Sequence, residues 1–297
     1  MLSTCVFSSG NQQDPIISLY NVENGVIEKC YPTGGSSGVQ FVLCTNCSII
    51  ESVCIGSQSG ITIEDSDNCT VVDCISHSNN VGISIGGRDS LVVNSSTYRN
   101  LERGISVKSY AEDTRIYHNK IGWNPVNAYS DSNTTEFTNG IDTGNSWSDF
   151  AGTGVYSIPG GASDIDSFPS ILEDRTRPVI DSPSDKAFDV ESVGETLTWT
   201  ASDDLPYTYV LYIDGVVQNV TPWNGLAIVI SLDDFPVGTY RLAMQVHDAA
   251  GNTATDDVIV TAVSFMLGGI GTELVMWASA LTVVIFIGIV VLVKKAS

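Results

Sequence analysis

Residues 60–85 read GITIEDSDNCTVVDCISHSNNVGISI, and the stretch returns to its own beginning. It opens on Gly60-Ile61-Thr62-Ile63 and closes on Gly82-Ile83-Ser84-Ile85, 22 residues later. The interval holds on both sides: Gly38, Gly60, Gly82 and Gly104 are each 22 residues apart. Val39, Ile61, Ile83 and Ile105 follow them directly; Phe41, Ile63, Ile85 and Val107 come two positions later, and Ile17 and Leu19 extend the register upstream. A second ladder runs Ile27, Ile49, Val71, Val93, beside Gly25, Cys47, Cys69, Leu91. A third runs Cys30, Ser52, Cys74, Ser96, and the next repeat slips by one, to Ile116 and Asn119.

A fixed period of this length marks a solenoid. Inside each repeat the apolar residues alternate at i and i+2, the strand period, and no 3.6-residue stripe runs between them. β-Branched strands separated by Asn, Ser, Gly and Asp predict a parallel β-helix of 22-residue coils. Successive coils would stack at about 4.8 Å, setting Ile on Ile and Cys on Cys. One coil cannot bury its own apolar face, so several must stack together.

The net charge of −21 is spread along the chain: residues 1–176 carry −12 and residues 177–263 carry −10. Such a surface repels phosphate, which sets nucleic acid aside as a partner. All seven Cys fall in residues 1–74; Cys47 with Cys69 and Cys30 with Cys74 share ladder positions that suit a small hydrophobe, with disulfides left open as the alternative. Cys44-Thr-Asn-Cys47 is a lone CxxC without the second pair that a zinc site needs.

Residues 274–293, LVMWASALTVVIFIGIVVLV, form 20 uncharged residues followed by Lys294-Lys295. This length spans a bilayer, and the lysines place the C-terminus (294–297) in the cytoplasm and the bulk of the chain outside the cell. Residues 264–273, with Gly268, Gly269 and Gly271, read as a juxtamembrane linker. Met1-Leu2-Ser3-Thr4 has neither a basic n-region nor an apolar h-region, and the repeats begin without a capping segment. Further coils and a signal peptide are therefore expected upstream.

Residues 177–263 read as a separate β domain, with residues 1–172 forming the β-helix and its closing segment. Thr196–Thr200, Tyr209–Ile213, Ala227–Ile230, Tyr240–Val246 and Val258–Val263 alternate or are wholly apolar, and Asp214-Gly215 is a hairpin signal. Several strands in under 90 residues predict a sandwich. Trp199 suits its core, and Gly238-Thr239-Tyr240 resembles the tyrosine corner of immunoglobulin-like domains, here without a Cys pair.

The most specific stretch is Gly144-Asn-Ser-Trp-Ser-Asp-Phe-Ala-Gly-Thr-Gly-Val-Tyr-Ser-Ile-Pro-Gly160, followed by Asp164-Ile-Asp166-Ser-Phe-Pro169. It resembles the N-x-W-x-D…G-x-Y-x-I-P-G…D-x-x-P segment that closes right-handed β-helices of the NosD-like and carbohydrate-binding/sugar-hydrolase class. Residues 121–129, IGWNPVNAY, resemble that class's last coil. The order of β-helix, immunoglobulin-like domain and membrane helix resembles archaeal surface proteins of the class. The resemblance implies fold and placement more than an activity.

Family enzymes that act on uronic-acid polymers use acidic, basic or His clusters on an exposed β-helix face. The outward columns of the best-defined strand are Ser18, Gln40, Thr62, Ser84, Ser106 and Tyr20, Val42, Glu64, Gly86, Lys108. They show no such cluster, so no catalytic residue is assigned. Tyr20, Gln40, Thr62, Glu64, Ser84, Ser106 and Lys108 are instead candidates for cradling a sugar chain; the plain alternative is a solvated sheet. Glu64, Asp65 and Asp67 offer hard oxygen ligands for Ca²⁺, as do Asp203-Asp204 and Asp256-Asp257, against the alternative of solvated turns. Asn46, Asn68, Asn94, Asn133 and Asn219 open N-x-S/T sequences and are candidate glycan acceptors. No other cofactor is expected. The expected role is a membrane-anchored surface protein that binds polysaccharide or another surface protein, or acts structurally. The rivals are a carbohydrate-active lyase, hydrolase or epimerase with its catalytic coils upstream, and an adhesin or envelope spacer that recognises no glycan.

Overall fold

Every coil has to turn corners, and the corner residues show how. Asn24, Asn46, Asn68, Asp89 and Asp113 occupy one corner of successive coils, all in the left-handed region with φ between 50° and 57°. Asn and Asp tolerate that region better than other residues with a Cβ. Lys29, Glu51, Asp73, Asn94 and His118 turn the next corner in the same conformation, and Ser78, Arg99 and Trp123 the one after. The computed structural model describes residues 2–9 and 12–264. The expected membrane helix 274–293 and its flanks 265–273 and 294–297 lie outside them. Among the described residues no helix is long and apolar enough to cross a membrane.

Between the corners run short parallel strands, making a parallel β-solenoid of about seven turns. The first face is a six-stranded sheet of Ile17–Tyr20, Ser37–Val42, Ser59–Asp67, Val81–Arg88, Arg103–Val107 and Val126–Ser130. Ile61 pairs with Ile83 and Ile83 with Ile105, as the 22-residue period requires. The second face stacks Ser48–Ile50, Thr70–Val72, Leu91–Val93 and Arg115–Tyr117. The third stacks Val53–Ile55, Ile75–His77, Ser96–Tyr98, Lys120–Gly122, Ser146–Trp147 and Ser170–Ile171. In the first coil one continuous strand, Val26–Gly34, serves both faces. Leu2–Ser9 pairs with it in parallel, and a Cys5–Cys30 disulfide joins the two.

The inner ladder of the second face corrects the sequence reading by one residue. Val71 pairs with Val92, and Val92 is buried while Val93 is half-exposed. The inward residues are therefore Ser90, Val92 and Ser95, not Leu91, Val93 and Ser96. The cause sits one corner earlier, where Glu64-Asp65-Ser66-Asp67 is matched by only Gly86-Gly87-Arg88. The shorter turn closes because Gly87 has no Cβ; one there would overlap the Ser66 carbonyl.

Polar side chains inside the solenoid are joined coil to coil. Ser57 N–H donates to Asn79 Oδ1 (2.9 Å), Asn79 N–H to Asn100 Oδ1 (3.1 Å) and Asn100 N–H to Asn124 Oδ1 (2.9 Å). Each amide returns a bond: Asn79, Asn100 and Asn124 Nδ2 donate to the carbonyls of Cys54, Ser76 and Thr97. A second file follows Ser95 N–H to Asn119 Oδ1, Asn119 N–H to Asn145 Oδ1 and Asn145 N–H to Asp166 Oδ2. Asp166 ends that file, also accepting from Trp147 Nε1 (2.9 Å) and Phe168 N–H (2.9 Å). Trp147 stacks on Tyr156 at 4.0 Å, and the Tyr156 hydroxyl donates to Asp149. The residues that set the closing motif apart in the sequence thus form the lid of the core.

Residues 179–263 fold around a second core. A five-stranded sheet, in the order Lys186–Asp189, Thr253–Val263, Gly238–Asp248, Pro206–Ile213, Val216–Pro222, faces the pair Thr196–Trp199 and Ile228–Ser231. Trp199, Trp223, Leu242, Met244 and Val260 are buried between them. Tyr240 hydroxyl donates to the carbonyl of Pro236 (3.0 Å), four residues back.

This unit docks on the third face of the solenoid. Tyr98, buried there, donates its hydroxyl to the Pro206 carbonyl (2.7 Å) and packs with Leu205 and Ala249. Arg99 Nε donates to Ala249 O (2.8 Å), and His77 Nε2 meets Trp223 O (3.1 Å). The His77 ring lies flat on Tyr98 at 5.2 Å. With its proton on Nε2, His77 donates to that carbonyl while Nδ1 accepts from the Ser78 hydroxyl (3.0 Å), so the neutral ring is fully satisfied.

Two outcomes are expected. Asn100→Ala removes the acceptor of the buried Asn79 N–H and a donor to the Ser76 carbonyl; the one N–H left unpaired costs roughly 1–3 kcal/mol in urea denaturation. Asn133→Ala, on an exposed loop, should stay within about 0.5 kcal/mol. Burial lowers the His77 pKa from 6.5 to about 4, against the opposing pull of Trp223 O. Tyr98 and Tyr207 face the ring, Arg99 lies over Tyr207, and no carboxylate is bonded to His77. A depressed folded pKa means that the docking stability is complete above pH 6.5 and is lost as pH falls toward 4. Hydrogen exchange of residues 206–223 should rise across that window, and His77→Phe should flatten the dependence.

Candidate functional site

A concavity of about 450 Å³ runs along the second face of the solenoid. Its floor is the outward side of strands whose inward residues are Val71, Val92 and Ile116. Thr70, Leu91 and Arg115 stand in register on consecutive rungs, with Tyr117 at the far side of the last rung. The corner residues Asn68, Asp89 and Asp113 form one lip. The loop carrying Thr134 and Glu136 forms the end wall. Asp113 N–H donates to Thr134 Oγ1 (2.8 Å), and Arg115 Nε lies 3.4 Å from Glu136. That ion pair is exposed, so it orients the two side chains more than it stabilises the fold.

The groove thus presents an amide or carboxylate on each rung at its lip and a hydroxyl, an aliphatic and a guanidinium group along its floor. Rungs repeat at about 4.8 Å. Asp89 and Asp113 stand on consecutive rungs beside Arg115. The sequence reading looks for such a cluster only along the outward columns of the first face, and the second face goes unread because Leu91 is counted into an inner column. The short Gly86-Gly87 turn was the signal that could have shown it.

The first face is less open than the sequence suggested. Thr62, Ser84 and Ser106 are 8%, 6% and 3% exposed. The Arg103 guanidinium stacks over Tyr129 at 4.0 Å and donates to Ser106 Oγ (3.2 Å). Thr62 bonds Ser37 (2.9 Å). The Tyr110 hydroxyl donates to Glu64, and its ring lies over Gly86; burial and Glu64 push the Tyr110 pKa up to about 12. Tyr20 remains exposed at 67%, with Gln40, Glu64 and Lys108 half-buried. The column is therefore covered over its middle and does not make an open trough. Asn46, Asn68, Asn94, Asn133 and Asn219 are all exposed. Asn68 Nδ2 donates to Asn46 Oδ1 (2.6 Å), so these two sit against each other on neighbouring rungs.

The structure does not gather Glu64, Asp65 and Asp67 around one point. Glu64 is held by Tyr110, and Asp65 and Asp67 are exposed. Asp256 accepts from Trp199 Nε1, and Asp257 pairs with Arg241. Among the described residues, only Asp174, Asp203 and Asp248 bring three such ligand atoms within 4.8 Å of one another. They sit where the segment leaving the solenoid meets the second unit. Asp174, Asp203 and Asp204 line a cleft of about 350 Å³ there with Lys120. Asp248 is buried and saturated by Gly251 N–H, Asn252 N–H and Asn252 Nδ2. Burial, then repulsion from Asp248, Asp174 and Asp204, raises the Asp203 pKa to about 6, against the Leu205 N–H that bonds it.

These features define a parallel β-solenoid with a β-sandwich docked on one face and a polar groove on another. Residues 6–152 match the family model described as periplasmic copper-binding protein (NosD). No curated protein matches. Among solved structures, the enzymatically active domain of tailspike protein 2 of bacteriophage CBA120 is similar over 85% of this chain, at 12% identity and a TM-score of 0.34. The alignment spans 55% of that tailspike chain. Copper takes imidazole, thiolate or thioether ligands, and the three-carboxylate set is hard oxygen throughout, so it does not fit copper.

Asp203 yields a pH test. Its raised pKa means that the folded state holds a proton that the unfolded chain releases, so its share of stability is complete below pH 3.8 and lost as pH rises through 6. Asp203→Asn keeps the acceptor for Leu205 and removes the repulsion. Its melting temperature should exceed that of the parent at pH 8, and the gain should vanish below pH 4.

Proposed function

We propose that this chain is a surface-exposed, extracytoplasmic binding protein whose groove along Asn68, Asp89, Asp113, Arg115 and Tyr117 takes a linear polysaccharide. The single observation behind this reading is the rung-by-rung repetition of polar groups along an open trough. A polymer of similar sugars laid along the solenoid axis would meet a comparable set of donors and acceptors at each rung. Tyr117 and Leu91 give the apolar faces of the rings something to pack on. Extracytoplasmic placement is supported by the family description and by the Cys5–Cys30 disulfide, which suits an oxidising compartment. In this reading residues 177–263 are an immunoglobulin-like spacer, supported by the facing sheets and the Tyr240–Pro236 bond. Residues 274–293 anchor the chain with a cytoplasmic C-terminus, in the manner of archaeal surface proteins. Ca²⁺ at Asp174, Asp203 and Asp248 would stiffen the junction.

One observation favours a second reading. Asp89 and Asp113, on adjacent rungs of the same groove, are the kind of carboxylate pair that glycoside hydrolysis employs. The reaction would then sit in these coils rather than upstream.

The test is a glycan-binding screen of the full chain in detergent, followed by titration of each hit and assay of released reducing ends. Tyr117→Ala and Arg115→Ala should weaken binding about tenfold or more, equivalent to about 1.4 kcal/mol each. Tyr20→Ala should leave affinity unchanged. Turnover abolished by Asp113→Asn would establish the hydrolase. Loss of binding in Tyr20→Ala with none in Tyr117→Ala would move the site to the first face. No binding to any glycan would leave the chain as a spacer or adhesin.

A further inference from the structure

We infer that the described residues of this chain hold no copper site, and that its five free cysteines are interior hydrogen-bonding groups of the solenoid. The inference departs from the family description, which names copper for residues 6–152. It rests on a complete inventory of two of the three soft ligand types. All three His and all seven Cys of the sequence lie within the described residues; of the four Met, Met244 is described and is buried in the second core.

The histidines do not meet. His77 has both ring nitrogens engaged, by Ser78 and by Trp223 O, beneath the docked unit. His118 stands exposed at a coil corner, and His247 lies on the second unit's strand Gly238–Asp248. No group of three His, Cys, Asp or Glu ligands among the described residues contains any of them.

The cysteines are spent differently. Cys5 and Cys30 form the disulfide, and Cys44, Cys47, Cys54, Cys69 and Cys74 are buried. In three of the five the thiol sits between two carbonyl acceptors, one two residues back and one a coil back: Cys44 at Val42 O (3.4 Å) and Leu19 O (3.3 Å), Cys47 at Thr45 O (3.6 Å) and Val22 O (3.4 Å), Cys74 at Val72 O (3.2 Å) and Ile49 O (3.5 Å). The coil-to-coil partner is 25 residues away each time. A thiol that donates must keep its proton, whereas a metal requires the thiolate. Burial works in the same direction, pushing Cys69 up to about 11 and Cys74 up to about 12. The file that holds Cys74 continues with Ser95, Asn119, Asn145 and Asp166, and Ser52 precedes it. Cys therefore stands where other coils place hydroxyl, amide and carboxylate groups. Their shared property is coil-to-coil hydrogen bonding, which no copper site requires.

The test uses the full chain in detergent, with Cu(I) presented in a chromogenic chelator and Cu(II) presented separately. No copper should leave the chelator, Cu(II) should not bind in stoichiometric amount, and the five thiols should react with a thiol reagent only after denaturation. In parallel, Cys74→Ser should keep the melting temperature within a few degrees of the parent, and Cys74→Val, which removes the donor, should lower it further. Transfer of one equivalent of copper, abolished by substituting His118 or any of the five cysteines, would overturn the inference. So would thiols that react freely in the native protein. If Cys74→Ser fails to fold while Cys74→Val folds, the hydrogen-bonding role is wrong, and the copper titration of the parent still decides the other half.

Discussion

The rest of the molecule depends on one interaction: a backbone N–H of one coil donating to a side-chain oxygen of the next. A solenoid places corners inside its own wall, and at each corner the backbone leaves the sheet ladder with N–H and carbonyl groups facing the core. Buried groups of that kind must be paired. The files through Asn79, Asn100 and Asn124 and through Ser95, Asn119 and Asn145 pair them with little volume. Each amide is at once acceptor for one coil and donor to another. Removing one therefore affects two neighbours, and the stack gains cooperativity beyond its apolar ladders.

The same files explain the two places where the stack is closed off. At the end of the solenoid Asp166 takes the last N–H and adds the Trp147 indole, after which no further coil is needed to satisfy the core. On the third face the docked unit covers His77 and Tyr98, whose polar atoms find the Trp223 and Pro206 carbonyls. Both closures use an aromatic ring that carries a polar handle, which allows large apolar area to be buried without leaving a donor unpaired. Among the described residues nothing covers the second face in this way, and the groove lies there.

Much of this was legible in the residues. The Gly-Ile-x-Ile return at 22 residues is enough for the parallel stack, because strand alternation and a fixed period have few other solutions. Asn145, Trp147, Asp149, Tyr156 and Asp166 stood out as a closing motif, and the structure supplies their roles. The candidate site was less legible. Small polar residues at outward positions, such as Ser106, look solvated in a linear pattern, but Arg103 of the same strand bonds Ser106 and stacks on Tyr129 of the next rung. Counting by 22 also fails after the shortened turn at Gly86-Gly87, so Leu91 is counted inward and the groove floor is not read as a face. Contacts between the two units, such as Tyr98 with Pro206, join residues 108 apart and leave no periodic trace.

The Gly86-Gly87 turn has a wider meaning. Dropping one residue at a corner leaves the inner ladders intact, since Val92 still stacks on Val71, and strand alternation then keeps the outward side chains of the following strand as well. What changes is the corner itself, and corners supply the lip of the groove at Asn68, Asp89 and Asp113. A lineage of such solenoids can therefore rewrite that lip by gaining or losing single corner residues, with no substitution in the strands and little disturbance of the stack beneath. The surface that meets a ligand is thus the part of the coil freest to drift, and kinship in the core is a poor guide to what the groove will hold.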